Sequence, residues 1–350
     1  MVGAGSFGTA VALLLERAGL RTTLLCRTAE QAERVASERV NSRYLPHVEL
    51  PAALKVRAFG NRDDQFQRPD LVFVAVPSRG IADAIEELVR LEVSEEAGLV
   101  SLAKGLVPPD GTLPTVVLER TFGPDRVACV GGPAHAREMV ESGAGLVCAS
   151  HSEALAHRVA ETFQNAGVVC EVASDTVGLE LAGCAKNAAA VAVGATQGQG
   201  LNAAGMAAAD IFLEVLTYAE RTGGEARTFV GRGGTGDLVA TALAPTSRNR
   251  TAGELLASGI PAAEIPSRLG QAVEALETVP LLAQGIQRAG LEAPVTSALA
   301  HLIDGTLPLD AWVELVRAKQ PPPARFSRPG TWWARLRGWW QRVSRRLKRR

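Results

Sequence analysis

Gly3-Ala4-Gly5-Ser6-Phe7-Gly8, running without a break into Thr9-Ala10-Val11-Ala12-Leu13-Leu14-Leu15, is the stretch on which the reading of the fold turns. Glycines in a G-x-G-x-x-G pattern let the backbone turn tightly, come close to a diphosphate and pack a helix against the strand it left. The N-terminus of that helix then offers unpaired N–H groups to phosphate oxygens. The motif therefore reads as the dinucleotide-binding loop of a Rossmann domain. Only Met1 and Val2 precede it, whereas a strand has about five residues. The expectation is that the true start lies upstream and that the first strand is cut short here.

Outward from this loop, residues 22–26, 71–76, 99–102 and 127–130 read as short apolar strands, and residues 9–18 and 81–91 carry helical apolar spacing. Strands alternating with helices imply a parallel sheet covered on both faces. Further β-like runs at 145–149 and 168–172 extend this region to about residue 175. The pattern then changes. Residues 177–196 are alanine-rich and read as one long helix, residues 203–221 as a second, and shorter helices follow to about residue 318. The long helix is apolar enough to raise a membrane span, but Lys186 and Asn187 in its middle favour a buried interdomain helix. The expected fold class is α/β, with a dinucleotide-binding domain over 1–175, an all-helical substrate domain over 176–319 and a linker and tail over 320–350.

The composition, 47% hydrophobic and 21% charged over 350 residues, is that of a globular protein. Cys26, Cys129, Cys148, Cys170 and Cys184 are scattered with no CxxC pair, so neither a disulfide framework nor a metal site is expected. No signal peptide precedes the glycine loop, and a cytoplasmic location is the expectation. The net charge of zero hides an asymmetry. Residues 321–350 carry ten basic side chains and no acidic one, leaving 27 basic and 37 acidic in the rest. After Pro321-Pro322-Pro323, Trp332, Trp333, Leu336, Trp339, Trp340, Val343 and Leu347 recur at helical spacing with arginines between them. That pattern suits a helix lying on an anionic membrane, and so peripheral attachment to the inner face of the plasma membrane. Nucleic-acid binding and a solubilising tail are the rival readings, the first less favoured because paired tryptophans suit a lipid interface.

The position that would hold the adenosine ribose falls at Leu25-Cys26-Arg27-Thr28. An acid there selects a free 2′-hydroxyl; Arg27 suits a 2′-phosphate, which tilts the cofactor towards NADP while leaving NAD open. Five further segments follow in order: Val74-Ala75-Val76-Pro77-Ser78, Ser101-Leu102-Ala103-Lys104-Gly105, Gly132-Pro133-Ala134-His135, Ala185-Lys186-Asn187, and Gly236-Asp237-Leu238 with Thr241 and Ser247-Arg248-Asn249-Arg250. A lysine inside an apolar helix is a tunable proton donor, and an arginine opening a helix is a phosphate clamp.

Together these segments resemble the bacterial-type NAD(P)-dependent glycerol-3-phosphate dehydrogenases, over residues 1 to about 318. The resemblance implies a helical domain like the C-terminal domain of 6-phosphogluconate dehydrogenase and the interconversion of dihydroxyacetone phosphate and sn-glycerol 3-phosphate for phospholipid synthesis. It implies chemistry at Lys186, Lys104, Asp237 and Thr241. The cofactor would lie on Gly3, Gly5, Ser6, Phe7 and Gly8, with Arg27, Pro77, Lys104, Arg248 and Glu274 around it. The substrate would meet Lys104, Gly132, Lys186, Asn187 and Asp237, with Ser247, Arg248 and Asn249 at its phosphate. A homodimer is implied as well. His135 is read as structural and Arg250 is left open. The chain departs from the family pattern at Ala134, at Ala204-Gly205-Met206-Ala207 where a cation is usual, at Gly231-Arg232-Gly233-Gly234 and at Ala275. Another β-hydroxyacid-type dehydrogenase, or a catalytically weakened cofactor-binding paralogue tethered to the membrane, stand as alternatives.

Overall fold

The computed structural model describes residues 1–60, 69–244 and 247–318. The expectations for the tail over 320–350 lie outside the described residues.

The glycine loop does what its pattern demands. Gly5 is the N-cap of α1 (Ser6–Arg17), whose residues from Gly8 to Leu15 are all buried. At its far end Gly19, with φ +82°, lets Leu20 N–H return to the Leu15 carbonyl at 3.1 Å, a left-handed stop that only glycine takes at no steric cost. The chain continues through β1 (Thr23–Cys26), α2 (Ala29–Glu38), a hairpin of β2 (Val40–Asn41) and β3 (Leu45–Glu49), and β4 (Lys55–Ala58). Then come β5 (Leu71–Val74), α3 (Ile81–Arg90), β6 (Gly98–Ser101), α4 (Pro114–Phe122) and β7 (Val127–Gly131). The α/β part closes with α5 (Ala136–Ser142), β8 (Gly145–Ser150), α6 (Glu153–Asn165) and β9 (Val169–Ala173).

β1 pairs with β4, and β5 to β9 pair in sequence order. Val2 joins the two groups by parallel bridges to Leu25 on one side and Val74 on the other. Its N–H bonds the Phe73 carbonyl at 2.8 Å and its own carbonyl accepts from Ala75 N–H at 2.7 Å. Residues 1–3 thus fill the central position of the sheet with a bridge in place of a full strand, in keeping with the short first strand expected from the sequence, and Val2 is wholly buried. The glycine loop therefore leaves the sheet at its middle, where ligands of such folds bind.

One feature corrects the expectation of an all-parallel sheet: β8 runs antiparallel to β7. The connection carries only the seven-residue α5, which packs against α1. It does not supply the long crossover that a parallel return needs. β4 and the β2–β3 hairpin were not anticipated; both are short and half polar, so no apolar run marks them.

Past β9 the described residues are helical: α7 (Thr176–Thr196), α8 (Leu201–Arg221), α9 (Ala226–Val230), α10 (Asp237–Leu243), α11 (Arg248–Ala257), α12 (Ile265–Leu269), α13 (Glu274–Arg288), α14 (Pro294–Ile303) and α15 (Leu309–Ala318). α7 is buried on nearly every side. Small residues let it touch its neighbours backbone to backbone. A Cβ on Gly194 would stand 2.0 Å from the Arg250 carbonyl oxygen, and one on Gly253 would stand 2.0 Å from that of Val191. α7 and α11 therefore approach backbone to backbone, and Asn249 of α11 bonds Asn187 in the middle of α7 at 2.8 Å. Among the described residues no helix is long and apolar enough to cross a membrane.

Candidate active site

The three glycines of the loop have three different surroundings. Gly3 has φ +104°, and a Cβ there would meet the Ala75 carbonyl oxygen at 2.7 Å. A Cβ on Gly8 would meet the Gly3 carbonyl oxygen at 2.1 Å. Both positions are filled by the protein itself. A Cβ on Gly5 would meet no atom within 4 Å, so Gly5 leaves open space at the N-terminus of α1. A concave, amide-rich helix end with free space fits a pyrophosphate. Two side chains that sequence reasoning missed hold this loop in place. Asn41 Nδ2, buried, donates to the Ala4 carbonyl at 3.0 Å and to Thr9 Oγ1 at 2.8 Å, and Gln31 Nε2 donates to the same carbonyl at 3.3 Å. An asparagine in a short hairpin cannot be told from a turn residue by sequence, so no signal pointed to Asn41.

Arg27 follows β1 at its carboxyl end and is exposed. Pro77 lies just past β5, in the turn where Ser78 N–H donates to Glu274 Oε1 at 3.1 Å. That bond brings Glu274 of α13 against the α/β part, and burial pushes its carboxyl above the ordinary range despite the Ser78 N–H and nearby Lys186 and Arg248. The structure thus gathers Gly3, Gly5, Ser6, Phe7, Gly8, Pro77 and Glu274 around the carboxyl end of the sheet.

Facing the loop is a cluster of buried charge. Lys104, three residues past β6, donates from Nζ to Asp237 Oδ2 at 2.6 Å and to the Gly132 carbonyl at 3.0 Å. Lys186 of α7 lies 3.5 Å from Asp237 Oδ1 and donates to Thr241 Oγ1 at 3.3 Å. Thr241 in turn donates to Asp237 Oδ1 at 3.4 Å. The Asp237 side chain is only 2% exposed. Two ammonium groups thus share one carboxylate in a dry setting. Burial pulls Lys186 down to about 8, with Asp237 opposing and Lys104 adding to the shift. Burial on its own would raise Asp237, but Lys104 and Lys186 override it and hold the carboxyl below its ordinary range. Lys104 Nζ also sits 6.0 Å from the ring centre of Phe7, so the cluster and the glycine loop face the same space.

Local structure explains why Asp237 stands where it does. The wide turn Arg232–Gly236 leads straight into α10. A Cβ on Gly234 would lie 2.2 Å from the Phe229 carbonyl oxygen, so the glycine is needed for the turn to close. The unusual Arg232 is engaged with Glu171 at 2.9 Å.

Asn187, next to the lysine, donates to the Lys104 carbonyl at 2.8 Å and accepts from Asn249 Nδ2 at 2.8 Å. This relay ties α11 to α7. Arg248 is the first residue of α11, and its Nη1 donates to Gln271 Oε1 at 3.1 Å and to the Ala272 carbonyl at 3.3 Å. Ser247, expected at the substrate, uses its hydroxyl oxygen as the N-cap of α11, accepting from Arg250 N–H at 3.4 Å. Arg250 is occupied by Glu254 and Gln197. His135 precedes α5 and contributes no cap bond. Burial and Lys186 push its pKa down, with Asp237 and Glu138 opposing, which favours the neutral ring. Ala207 is fully buried in α8.

This geometry agrees with what comparison with known proteins finds. The model of the N-terminus of NAD-dependent glycerol-3-phosphate dehydrogenase matches residues 1–156, and that of the C-terminus matches residues 175–314. The chain belongs to this family. It is 33% identical over 327 residues to a glycerol-3-phosphate dehydrogenase [NAD(P)+] of Methylococcus capsulatus, covering 92% of this chain and 97% of the relative. The corresponding enzyme of Deinococcus radiodurans is 36% identical over 311 residues, covering 87% and 90%. The crystal structure of glycerol-3-phosphate dehydrogenase from Coxiella burnetii superposes with a TM-score of 0.80 at 28% identity, covering 91% of this chain and 98% of that one. The two-domain architecture and a nicotinamide dinucleotide cofactor, NAD or NADP, follow from this membership.

Proposed function

We propose that this chain reduces dihydroxyacetone phosphate to sn-glycerol 3-phosphate with a reduced nicotinamide dinucleotide, and catalyses the reverse oxidation. One observation carries this reading: a buried Lys104–Asp237–Lys186 cluster faces the glycine loop, and the N-terminus of α11 is tied beside it through Asn187 and Asn249. The cofactor, when bound, supplies the hydride to the ketone carbon. The ketone oxygen needs a proton, and Lys186 gives it. An ammonium with a pKa of about 8 is still charged at neutral pH and close to the value at which it both holds and releases a proton well. Lys104 adds a second positive charge where the alkoxide develops. Asp237 keeps both cations in place, and Thr241 fixes the direction of the Lys186 amine. Arg248 and the free N–H groups of α11 take the substrate phosphate. Arg27 would meet a 2′-phosphate, which favours NADP.

The product is a precursor of phospholipid head groups, which gives the basic, tryptophan-rich tail a purpose. In this reading the enzyme works in the cytoplasm, and the tail brings it to the anionic inner face of the plasma membrane. Liposome flotation of the full chain against a 1–319 truncation checks the tail; equal flotation contradicts it. A homodimer is proposed as well. Its support, besides the family, is that several apolar side chains on helices of the C-terminal part are exposed, Leu201 and Leu213 on α8 and Val239 and Leu243 on α10.

The activity is tested by following oxidation of NADPH and NADH by the full chain. Dihydroxyacetone phosphate should drive it, with dihydroxyacetone at least about a hundredfold poorer because the phosphate clamp is left empty. No oxidation with the phosphorylated ketone, or equal rates with both, would contradict the proposal.

A further inference from the structure

The β2–β3 hairpin, unseen in the sequence, makes polar contacts in two directions. Where β2 enters the turn, Asn41 grips the glycine loop through the Ala4 carbonyl and Thr9. At its tip Arg43 Nη2 donates to the carbonyl of Gly270 at 3.1 Å, 227 residues away in the chain. Gly270 ends α12 in the left-handed conformation, φ +65°. Carbonyls at a helix end lack partners within the helix, and Arg43 supplies one. The next two residues are Gln271 and Ala272, the two acceptors of the Arg248 guanidinium.

We propose that the hairpin is a strap that sets Arg248, and that Arg43 is its positioning residue. The inference rests on the reading of Arg248 as the substrate-phosphate ligand. The strap is stiff enough for the task. Arg39 donates from Nε to the Leu50 carbonyl at 3.2 Å and from Nη2 to the Leu54 carbonyl at 3.0 Å. Leu50 N–H returns to the Arg39 carbonyl at 2.7 Å, which closes the base of the hairpin. Tyr44 N–H bonds the Asn41 carbonyl at 3.0 Å, and the Arg43 guanidinium lies 5.2 Å over the Tyr44 ring, which limits its freedom. A continuous path of bonds thus runs from the cofactor loop through Asn41, the hairpin tip, Arg43 and residues 270–272 to Arg248. Arg43 itself touches neither end. Its removal leaves the 270–272 link without its outer anchor and Arg248 less well ordered. Substrate affinity then falls while the proton-donating cluster is untouched.

The test is a double-mutant cycle on the full chain, reading KM for dihydroxyacetone phosphate, KM for NADPH and kcat. Arg43→Ala is expected to raise KM for the ketone by about fivefold, the effect of one exposed charge-assisted hydrogen bond. It should leave kcat and KM for NADPH unchanged. Arg248→Ala should raise the same KM by more. In the Arg248→Ala background, Arg43→Ala should add nothing, because its only route to the substrate is gone. An additive effect, or a rise shared equally by NADPH, overturns the strap. If Arg248→Ala raises the KM and Arg43→Ala does not, the strap fails and the phosphate site stands. If Arg248→Ala leaves the KM unchanged, the phosphate reading fails and the strap falls with it.

Discussion

In the proposed mechanism the working groups at the glycine loop are backbone amides, and the side chains matter by their absence. On α7 and α10 the working groups are side-chain charges, and the backbone matters by how deeply it buries them. The loop binds with what every chain carries, so its specificity lies in shape: Gly3 and Gly8 are filled against protein and Gly5 faces open space. In the same proposal the helices do chemistry with groups that water would otherwise level. Lys186 falls to about 8 because it is buried, and it stays charged at neutral pH because Asp237 is beside it. One wall is therefore sensitive to a methyl group and the other to a single charge.

The largest expected effect falls on the charged wall. Asp237→Asn removes the partner of both lysines, leaving two buried cations uncompensated, and should cost about 3 kcal/mol of stability. It should also lower kcat by at least about a hundredfold, because a donor in the wrong protonation state contributes nothing. Wild-type pH profiles carry the sign. The charged lysine is the donor, so ketone reduction should fall as pH rises through about 8. The reverse oxidation needs the neutral amine and should gain over the same range. In Asp237→Asn the falling limb should move to lower pH; an unmoved limb would mean that another group sets it.

On the loop the contrast is between Gly5 and Gly8. Gly8→Ala drives a methyl to within 2.1 Å of the Gly3 carbonyl oxygen and should lower the melting temperature sharply. Gly5→Ala meets no protein atom, so the melting temperature should hold while the Kd for NADPH rises about tenfold, as when a close backbone contact is blocked. Fluorescence titration and thermal melts separate the two, and unaltered NADPH affinity in Gly5→Ala would break the comparison. Arg27→Ala should weaken NADPH by about fivefold and spare NADH. Equal loss of both would remove the 2′-phosphate role.

The smallest expected effect lies on α7 away from the chemistry. Glu180 accepts from the N–H of Thr115 at 3.1 Å and from its hydroxyl at 2.6 Å, and burial pushes it from 4.5 up to about 8. The folded state therefore holds a proton that the unfolded chain releases at lower pH. Stability from this group is complete below pH 4.5 and drains away as pH rises towards 8. Glu180→Gln should flatten the melting temperature between those limits, and a wild-type slope retained in the variant would point to another group.

What could be read from the sequence follows the same division. The glycine loop was legible because its chemistry is local, and six of the nine strands among the described residues announced themselves as apolar runs. Lys186, Asp237 and Arg248 were legible as a family pattern, which also implied Asp237 and Thr241 beside Lys186; the close approach of α7 and α11 through Gly194 and Gly253, which ties Asn249 to Asn187, was not legible. Asn41 and Arg43 were invisible, because a polar residue in a two-residue strand, or in the turn after it, looks like any turn residue. The antiparallel β8 was missed for a related reason: periodicity reports a strand and says nothing of its direction.

The division of labour between the walls is tested most directly in Lys186→Ala, with NADPH binding and dihydroxyacetone phosphate turnover measured on the same sample. Turnover should drop by about a thousandfold, the worth of a positioned proton donor, while the Kd for NADPH stays at its wild-type value. Turnover that survives, or that falls only as far as NADPH affinity does, would contradict the account.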